Sequence, residues 1–143
     1  MKNFILSFLQ LFLFLYLYFS GTIFIFSIPF VMIQILSILL VFWAFLIKRL
    51  HKRPASSRAP RGVYLVTSGP YEIVRHPIYV GLLLFVLSYA PGYNTIFQYL
   101  AFLLLLILTL LRIHRDEKLT ESYFKHEYSV YKKNTKRLIP YVY

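Results

Sequence analysis

The stretch that decides the fold is residues 4–47, FILSFLQLFLFLYLYFSGTIFIFSIPFVMIQILSILLVFWAFLI, which contains no charged side chain. One crossing of the hydrocarbon core of a bilayer needs only about 20 apolar residues. The stretch is therefore long enough for two crossings, which we expect over residues 4–25 and 28–47. A bend near Ser20, Gly21 and Thr22, or at Pro29, would turn the chain between them.

The composition of the whole chain agrees with a membrane protein. Hydrophobic residues make up 59% of the sequence and charged residues only 15%, whereas a soluble domain carries about 25% charge. A cleaved signal peptide would need an apolar core of only about 7–15 residues and a small-residue cleavage site, which this sequence lacks. The absence of cysteine excludes disulfides, thiolate catalysis and cysteine-ligated metal.

The positive charges behind the formal net charge of +11 are confined to three parts of the chain. All 16 Lys and Arg residues are Lys2 or fall within 48–75 or 112–137. In a soluble protein this excess would suggest nucleic acid, but beside apolar spans it follows the positive-inside rule. We therefore predict that the N-terminus, the connection 48–75 and the C-terminal tail face the cytoplasm. Anionic membrane lipids are the expected partners, and nucleic acid is not.

Two further apolar runs, 77–89 and 95–111, flank the breaker Pro91-Gly92 and predict a second helical hairpin. Residues 112–134 then switch to an amphipathic helical pattern. The sequence thus predicts an all-α integral membrane protein with a single membrane domain over 1–143 and about four transmembrane helices. Its parts are a first hairpin at 4–47, a basic cytoplasmic loop at 48–75, a second hairpin at 77–111, and a C-terminal cytoplasmic amphipathic helix and tail at 112–143.

The first polar cluster that could carry chemistry is Arg75-His76-Pro77-Ile78-Tyr79. Proline suits the first turn of a helix, so His76 is the expected cap. The free backbone donors of a helix start favour an anion, and Tyr79 is spaced to face the same cavity as His76. Alternatively, these side chains are interface anchors that extend to water.

The second cluster is Arg112-Ile113-His114-Arg115-Asp116-Glu117. Arg112 and Asp116 are four residues apart and could pair, which would leave Glu117 to meet a cationic or hydroxyl group. The alternative is a solvated helix start with ordinary charge pairs. We predict no metal site, because the four histidines lack the spacing of H-x-x-H or H-E-x-x-H.

Together the two clusters resemble the signature of the isoprenylcysteine carboxyl methyltransferase family. The resemblance covers residues 65–143. The family usually has two glutamates where this chain has Asp116-Glu117, and glycine where it has Lys125. The matching residues run from Gly69-Pro70-Tyr71 through Arg75-His76-Pro77-Ile78-Tyr79 to Gly81, and later comprise Arg112, Asp116-Glu117, Leu119, Phe124, Glu127-Tyr128, Tyr131 and Arg137-Leu138-Ile139-Pro140.

This resemblance implies a transferase that uses S-adenosylmethionine to methylate a lipid-linked or membrane-dissolved small molecule, with carboxyl O-methylation favoured. The cofactor's carboxylate would suit the helix start at His76, and its sulfonium would suit an aromatic wall. The implied catalytic residues are Arg112, Glu117 and Arg137. The implied cofactor-binding residues are Gly69, Tyr71, Arg75, His76, Tyr79, Glu117, Tyr128 and Tyr131.

Three alternatives stay open. A phospholipid amine N-methyltransferase would need a proton acceptor, for which Glu117 is the nearest candidate. A sterol-reductase-like NADPH enzyme would share the Arg-Asp-Glu run and the ending Ile-Pro-Tyr-Val-Tyr. Gly69-Pro70-Tyr71 and a length of 143 residues favour the methyltransferase over it. A non-catalytic membrane subunit would use the basic loops to bind anionic lipid.

Overall fold

The computed structural model describes residues 2–20, 28–50 and 64–139. They form four α-helices, α1 (Lys2–Ser20), α2 (Ile28–Leu50), α3 (Pro77–Leu87) and α4 (Ile96–Asn134), with 3₁₀ turns at Gly69–Glu72 and Ala90–Gly92. These ranges contain no β-strand, and an isolated parallel bridge joins Val74 to Lys136. The predicted all-α class is confirmed.

The helix starts follow the proline positions. Pro29 lies in the first turn of α2, where its missing N–H is not needed. Helix α3 begins at Pro77 as predicted, and the carbonyl of His76 accepts its first hydrogen bond, from the amide of Val80 over 3.1 Å. The predicted bend at residues 21–22 and the predicted loop at 53–62 lie outside the described residues.

The fourth apolar run and the C-terminal amphipathic segment belong to one helix, α4, and not to two as predicted. The physical reason is that residues 96–134 contain neither Gly nor Pro, so nothing ends the helix at residue 111. A kink interrupts it instead at Lys125, whose backbone has φ 26° and ψ −93°. Phe124 and Tyr128, on either side of this kink, are both buried.

Two helices, α2 and α4, are long and apolar enough to cross a membrane. Their apolar stretches remain largely exposed, as at Leu36 and Phe42 of α2, which suits contact with lipid. The other two apolar helical segments, Ile5–Ser20 and Pro77–Gly92, are shorter than a typical crossing. Of the four predicted spans, the structure therefore supports two by length and composition.

The chain forms two compact units. Unit 1 comprises Met1–Ile38 and Gly81–Arg112, and unit 2 comprises Leu39–Val80 and Ile113–Tyr143. Unit 1 is held by an apolar core of aliphatic and aromatic side chains from α1, α3 and the first part of α4. The buried members of that core are Leu13, Leu17, Val86, Tyr89, Tyr93 and Leu105. Unit 2 contains the polar clusters that the sequence singled out before and after the second hairpin, except Arg112.

Candidate functional site

A 3₁₀ turn at Gly69–Glu72 positions the first polar cluster. Gly69 has φ +63°, a left-handed conformation that glycine adopts without steric cost. A Cβ at this position would lie 3.1 Å from Cγ1 of Ile47, so the turn packs closely against the end of α2. The Gly69 amide also donates to the Glu72 carboxylate over 3.3 Å. Gly69 thus shapes the turn through its backbone.

The centre of the polar site is the carboxylate of Glu117, whose side chain is only 3% exposed. Arg75 Nε donates to Oε1 over 2.8 Å, and Arg137 Nε donates to Oε2 over 2.9 Å. His76 Nε2 lies 3.5 Å from Oε1, longer than an ordinary hydrogen bond. One buried anion therefore gathers three basic side chains from distant parts of the sequence.

These neighbours determine the charge state of Glu117, which lies beyond the apolar part of α4. Burial alone would raise the pKa of its carboxyl group. Contact with His76, the hydrogen bond and charge of Arg75, and the charge of Arg137 outweigh burial and lower that pKa to about 2. Glu117 is therefore ionised at physiological pH and is a weak proton acceptor there.

Arg75 also ties the loop before α3 to the C-terminal segment. Its Nη1 atom donates to the backbone carbonyl of Lys132 over 3.2 Å and to that of Thr135. Its backbone amide donates to the carbonyl of Lys136 over 2.7 Å. The side chain is 7% exposed, so these bonds and the pair with Glu117 satisfy most of its donors away from water. We call Arg75, Glu117 and Arg137 the buried clamp.

Beside the buried clamp lies a cavity of about 550 Å³ within unit 2. This volume is within the range of small-molecule and cofactor sites. Its wall combines tyrosine rings, a few cations and one carboxylate. The lining residues are Lys48, Tyr64, Leu65, Val66, Tyr71, Arg75, His76, Pro77, Ile78, Tyr79, Asp116, Leu119, Thr120, Tyr123, Tyr128 and Tyr131.

Two hydrogen bonds arrange the tyrosines of this wall. The Tyr79 hydroxyl donates to Oδ2 of Asp116 over 3.2 Å, and the Tyr131 hydroxyl donates to the backbone carbonyl of Tyr71 over 2.6 Å. Burial raises the pKa of Tyr71 to about 12, and it raises the pKa of Tyr131 further. The phenols of Tyr71 and Tyr131 therefore stay protonated at physiological pH.

The structure brings most of the predicted site residues together. Six of them line the cavity, namely Tyr71, Arg75, His76, Tyr79, Tyr128 and Tyr131. Glu117 and Arg137 belong to the buried clamp, and Gly69 shapes the turn. Arg112 lies in unit 1, where its Nη1 atom donates to Ser7 Oγ over 2.6 Å and to Gln10 Oε1 over 2.9 Å. Its predicted catalytic role stays a prediction.

Sequence reasoning missed several residues of the wall. Lys48 and Tyr64 come from the predicted loop, and no local pattern indicated that they face the same cavity as α4. The spacing predicts Asp116 as a partner of Arg112, whereas in the structure the Asp116 carboxylate accepts a hydrogen bond from the Tyr79 hydroxyl. The available signal was the spacing of Asp116, Thr120 and Tyr123, which places them on one helical face. All three line the cavity.

The sequence model of the ergosterol biosynthesis ERG4/ERG24 family matches residues 44–143, well over half of the chain. The chain belongs to the ERG4/ERG24 family. Members of this family are membrane sterol reductases that use NADPH. The matched region contains all the lining residues of the cavity and the whole buried clamp. No curated protein matches the chain.

Membership of the ERG4/ERG24 family corrects the predicted activity. The assignment to the isoprenylcysteine carboxyl methyltransferase family was wrong, as were the methyltransferase activity and S-adenosylmethionine as cofactor. The finding favours the alternative of a sterol-reductase-like NADPH enzyme, an oxidoreductase. The substrate class implied by the family is a sterol within the membrane.

The structure gives a physical reason for the error. Gly69-Pro70-Tyr71 was the feature that favoured the methyltransferase, yet these residues form a 3₁₀ turn that packs against α2 and accepts a hydrogen bond from Tyr131. Such a turn shapes one wall of the cavity and can serve more than one chemistry. Chain length did not separate the families, since residues 44–143 alone match the ERG4/ERG24 family.

Proposed function

We propose that this chain is a membrane oxidoreductase that uses NADPH to reduce a carbon–carbon double bond of a sterol or a similarly rigid polycyclic lipid. The observation that carries the proposal is the cavity with its tyrosine wall, cationic side chains and Tyr79–Asp116 pair, located in the region that matches the ERG4/ERG24 family. A sterol hydroxyl is already reduced, so the reducible group of such a substrate is its double bond.

The cavity residues fit a phosphate-bearing dinucleotide. Nε2 of His76 is buried and lies 3.5 Å from Oε1 of Glu117, so it makes no ordinary hydrogen bond within the described part of the chain. His76 also stands at the N-terminus of α3, where backbone donors favour an anion. Lys48 adds a point charge suited to phosphate. The tyrosine rings would hold the flat nicotinamide or adenine group.

NADPH supplies a hydride when bound, and reduction of a double bond also needs one proton. The Tyr79 hydroxyl is placed to hold that proton, because it lines the cavity and is oriented by the Asp116 carboxylate. In the structure this hydroxyl donates its proton to Oδ2 of Asp116, so rotation about the Cζ–O bond would turn the proton to the substrate. Water would then return a proton to the Tyr79 phenolate. General acid catalysis of this kind contributes about 10²–10⁴ in rate.

The buried clamp has a positioning role in this proposal. Glu117 is ionised and buried, so it holds Arg75 and Arg137 and does not exchange protons near pH 7. The backbone of Arg75 leads directly into His76 and Pro77, so the clamp fixes the start of α3 at the cavity. A fixed cavity wall keeps water out and holds reacting groups in line.

The orientation in the membrane is part of the same proposal. We propose that the N-terminus, residues 48–75 and the C-terminal segment face the cytoplasm, because all Lys and Arg residues fall there. The cavity would then open to the compartment that contains soluble NADPH. The sterol would enter from the bilayer past apolar surface such as that of α2.

The test is a pair of measurements on purified protein in detergent or lipid discs. Calorimetric titration should show binding of NADPH and no binding of S-adenosylmethionine. Incubation with NADPH and sterols that contain ring double bonds should give a product with two added hydrogens, detected by mass spectrometry. Binding of S-adenosylmethionine without binding of NADPH would overturn the proposal.

A variant series tests the proton donor. Tyr79→Phe should lower turnover about 100-fold, in line with loss of a general acid, while NADPH affinity changes little. Tyr16→Phe, on the exposed surface of α1, is the matched control and should leave turnover unchanged. Equal turnover in the Tyr79 variant and the control would remove Tyr79 from the mechanism.

A further inference from the structure

Arg112 is a cation of unit 1 that neutral polar side chains hold in place. Its Nη1 atom donates to Ser7 and Gln10 of α1 over 2.6 and 2.9 Å. The amide nitrogen of Gln10 donates in turn to Thr109 Oγ1 over 3.2 Å, and Thr109 donates to the carbonyl of Leu105 over 2.8 Å. This relay fixes the Gln10 carbonyl towards Arg112, so the guanidinium is oriented by neutral groups.

The charge of Arg112 has no compensating carboxylate within its unit. The five acidic residues of the sequence are Glu72, Asp116, Glu117, Glu121 and Glu127, and all of them belong to unit 2. Among the described residues, the ion pairs involve Arg75, His76, Arg137 and Lys132 but not Arg112. An arginine beside membrane-facing helices is costly unless an anion accompanies it.

The remaining edge of the guanidinium has the geometry for such an anion. Both hydrogen bonds of the side chain to described residues leave from Nη1, which leaves the Nε–Nη2 edge to its surroundings. That edge presents two parallel N–H donors, the arrangement that binds a phosphate or carboxylate through two oxygens. Arg112 is half-buried, so the edge is accessible from one side.

The surroundings indicate where the anion comes from. Phe8 and Leu11 adjoin the α1 residues that hold Arg112, and Leu111 precedes it on α4; they are 64%, 56% and 52% exposed. Large apolar side chains at this exposure mark surface in contact with lipid. An anion that meets Arg112 there arrives on a membrane molecule.

We propose that the Nε–Nη2 edge of Arg112, held in place by Ser7, Gln10 and Thr109, binds the phosphate of an anionic phospholipid. An anionic headgroup is favoured over a zwitterionic one, because a choline cation would offset the attraction between the phosphate and Arg112. This lipid site is separate from the proposed cofactor cavity and does not depend on the reductase activity.

The experiment measures lipid binding to the full chain in detergent without NADPH or sterol. Native mass spectrometry and thermal unfolding follow titrations with phosphatidylglycerol, phosphatidylcholine and inorganic phosphate. Wild-type protein should bind phosphatidylglycerol about tenfold more tightly than phosphatidylcholine, as a charge-assisted pair implies. Inorganic phosphate at the same concentration should bind far less, since it lacks the acyl chains. Equal stabilisation by free phosphate would overturn the lipid assignment.

Two substitutions that each remove one positive charge test whether Arg112 is the lipid-binding residue. Arg112→Gln should abolish the preference for phosphatidylglycerol, while Arg115→Gln, on an exposed arginine of the same helix, should keep it. Arg112→Lys keeps the charge but loses the two-pronged edge, and we expect it to lose most of the preference. If Arg112→Gln does not fold, the lipid preference of Arg112→Lys is the test of the proposal. Wild-type preference in either Arg112 variant would overturn the proposal.

Discussion

The Glu117 carboxylate lies 2.8 Å from Nε of Arg75, and neither side chain is more than 7% exposed. Forty-two residues separate the two along the chain. Residues 81–112, the second part of unit 1, lie between them in the sequence, so the pair closes a long excursion of the chain. This contact therefore stabilises the fold, and it also positions His76, which follows Arg75 directly in the chain.

The first prediction concerns the charge of Glu117. Glu117→Gln keeps the shape of the side chain but leaves Arg75 and Arg137 against a neutral amide, which should lower the free energy of unfolding by about 3 kcal/mol. Thermal unfolding in detergent measures the change. Glu121→Gln breaks only an exposed pair with Lys132 and should cost less than about 1 kcal/mol. Equal losses in both variants would contradict the role of the buried clamp.

The second prediction concerns acid stability. The pKa of Glu117 falls from 4.5 to about 2 on folding, so its ionised form is favoured in the native state. Its contribution to stability is then fully present above about pH 4.5 and is lost as the pH falls towards 2. Unfolding curves of wild-type protein should show this loss across that window, and Glu117→Gln should flatten it. An unchanged pH profile in the variant would assign the effect to other groups.

The third prediction concerns the kink in α4. Lys125 has φ 26°, a conformation that side chains with a Cβ adopt only with strain. Lys125→Gly should therefore raise the free energy of unfolding by about 1 kcal/mol. Lys118→Gly, on an exposed residue in the regular part of the same helix, should lower it by about 1 kcal/mol. Destabilisation by both substitutions would show that the kink is not strained.

The fourth prediction concerns the turn before the site. Gly69→Ala should lower the free energy of unfolding by about 1–2 kcal/mol, since alanine disfavours φ +63° and its Cβ would crowd Ile47. A double-mutant cycle with Ile47→Ala separates the two causes. Relief of crowding should recover part of the loss, and the remainder measures backbone strain. Thermal unfolding of the four proteins gives both terms.

The fifth prediction rests on the proposed cofactor. Lys48 lines the cavity and its exposed neighbour Arg49 does not. Lys48→Gln should weaken NADPH binding about tenfold, as expected for one lost charge-assisted contact to phosphate. Arg49→Gln removes the same charge and should leave the affinity within about a factor of two. Calorimetric titration with NADPH measures both variants. Identical affinities in the two would show that the NADPH phosphates do not contact Lys48.

Local sequence rules predicted the parts of the site that depend on local geometry. Proline at residue 77 indicated the start of α3, and the spacing of His76 and Tyr79 indicated that both face one cavity. The partners of Glu117 could not be predicted, because Arg75 and Arg137 reach it only through the tertiary fold. The kink at Lys125 could not be predicted from helix propensity either, since lysine is a good helix former.

Short sequence motifs could not predict the cofactor, for a different reason. The Arg-His-Pro and Asp-Glu segments build a helix start and a buried clamp, and such a scaffold can serve more than one chemistry. The match over residues 44–143 distinguished the families because it weighs the whole region. The resemblance was therefore wrong about the family and the reaction, and the roles it implied for individual residues stay predictions.

The contacts of Arg75 with residues 132, 135 and 136 have a consequence for biogenesis. Chains fold in order of synthesis as they leave the ribosome, and the partners of Arg75 are made some 60 residues later. The first half can enter the bilayer early, but Arg75 lacks these hydrogen bonds until Lys132, Thr135 and Lys136 have been translated. A ribosome that stalls before residue 132 would leave Arg75 without its C-terminal partners, so the buried clamp forms after the first half of the chain has been made.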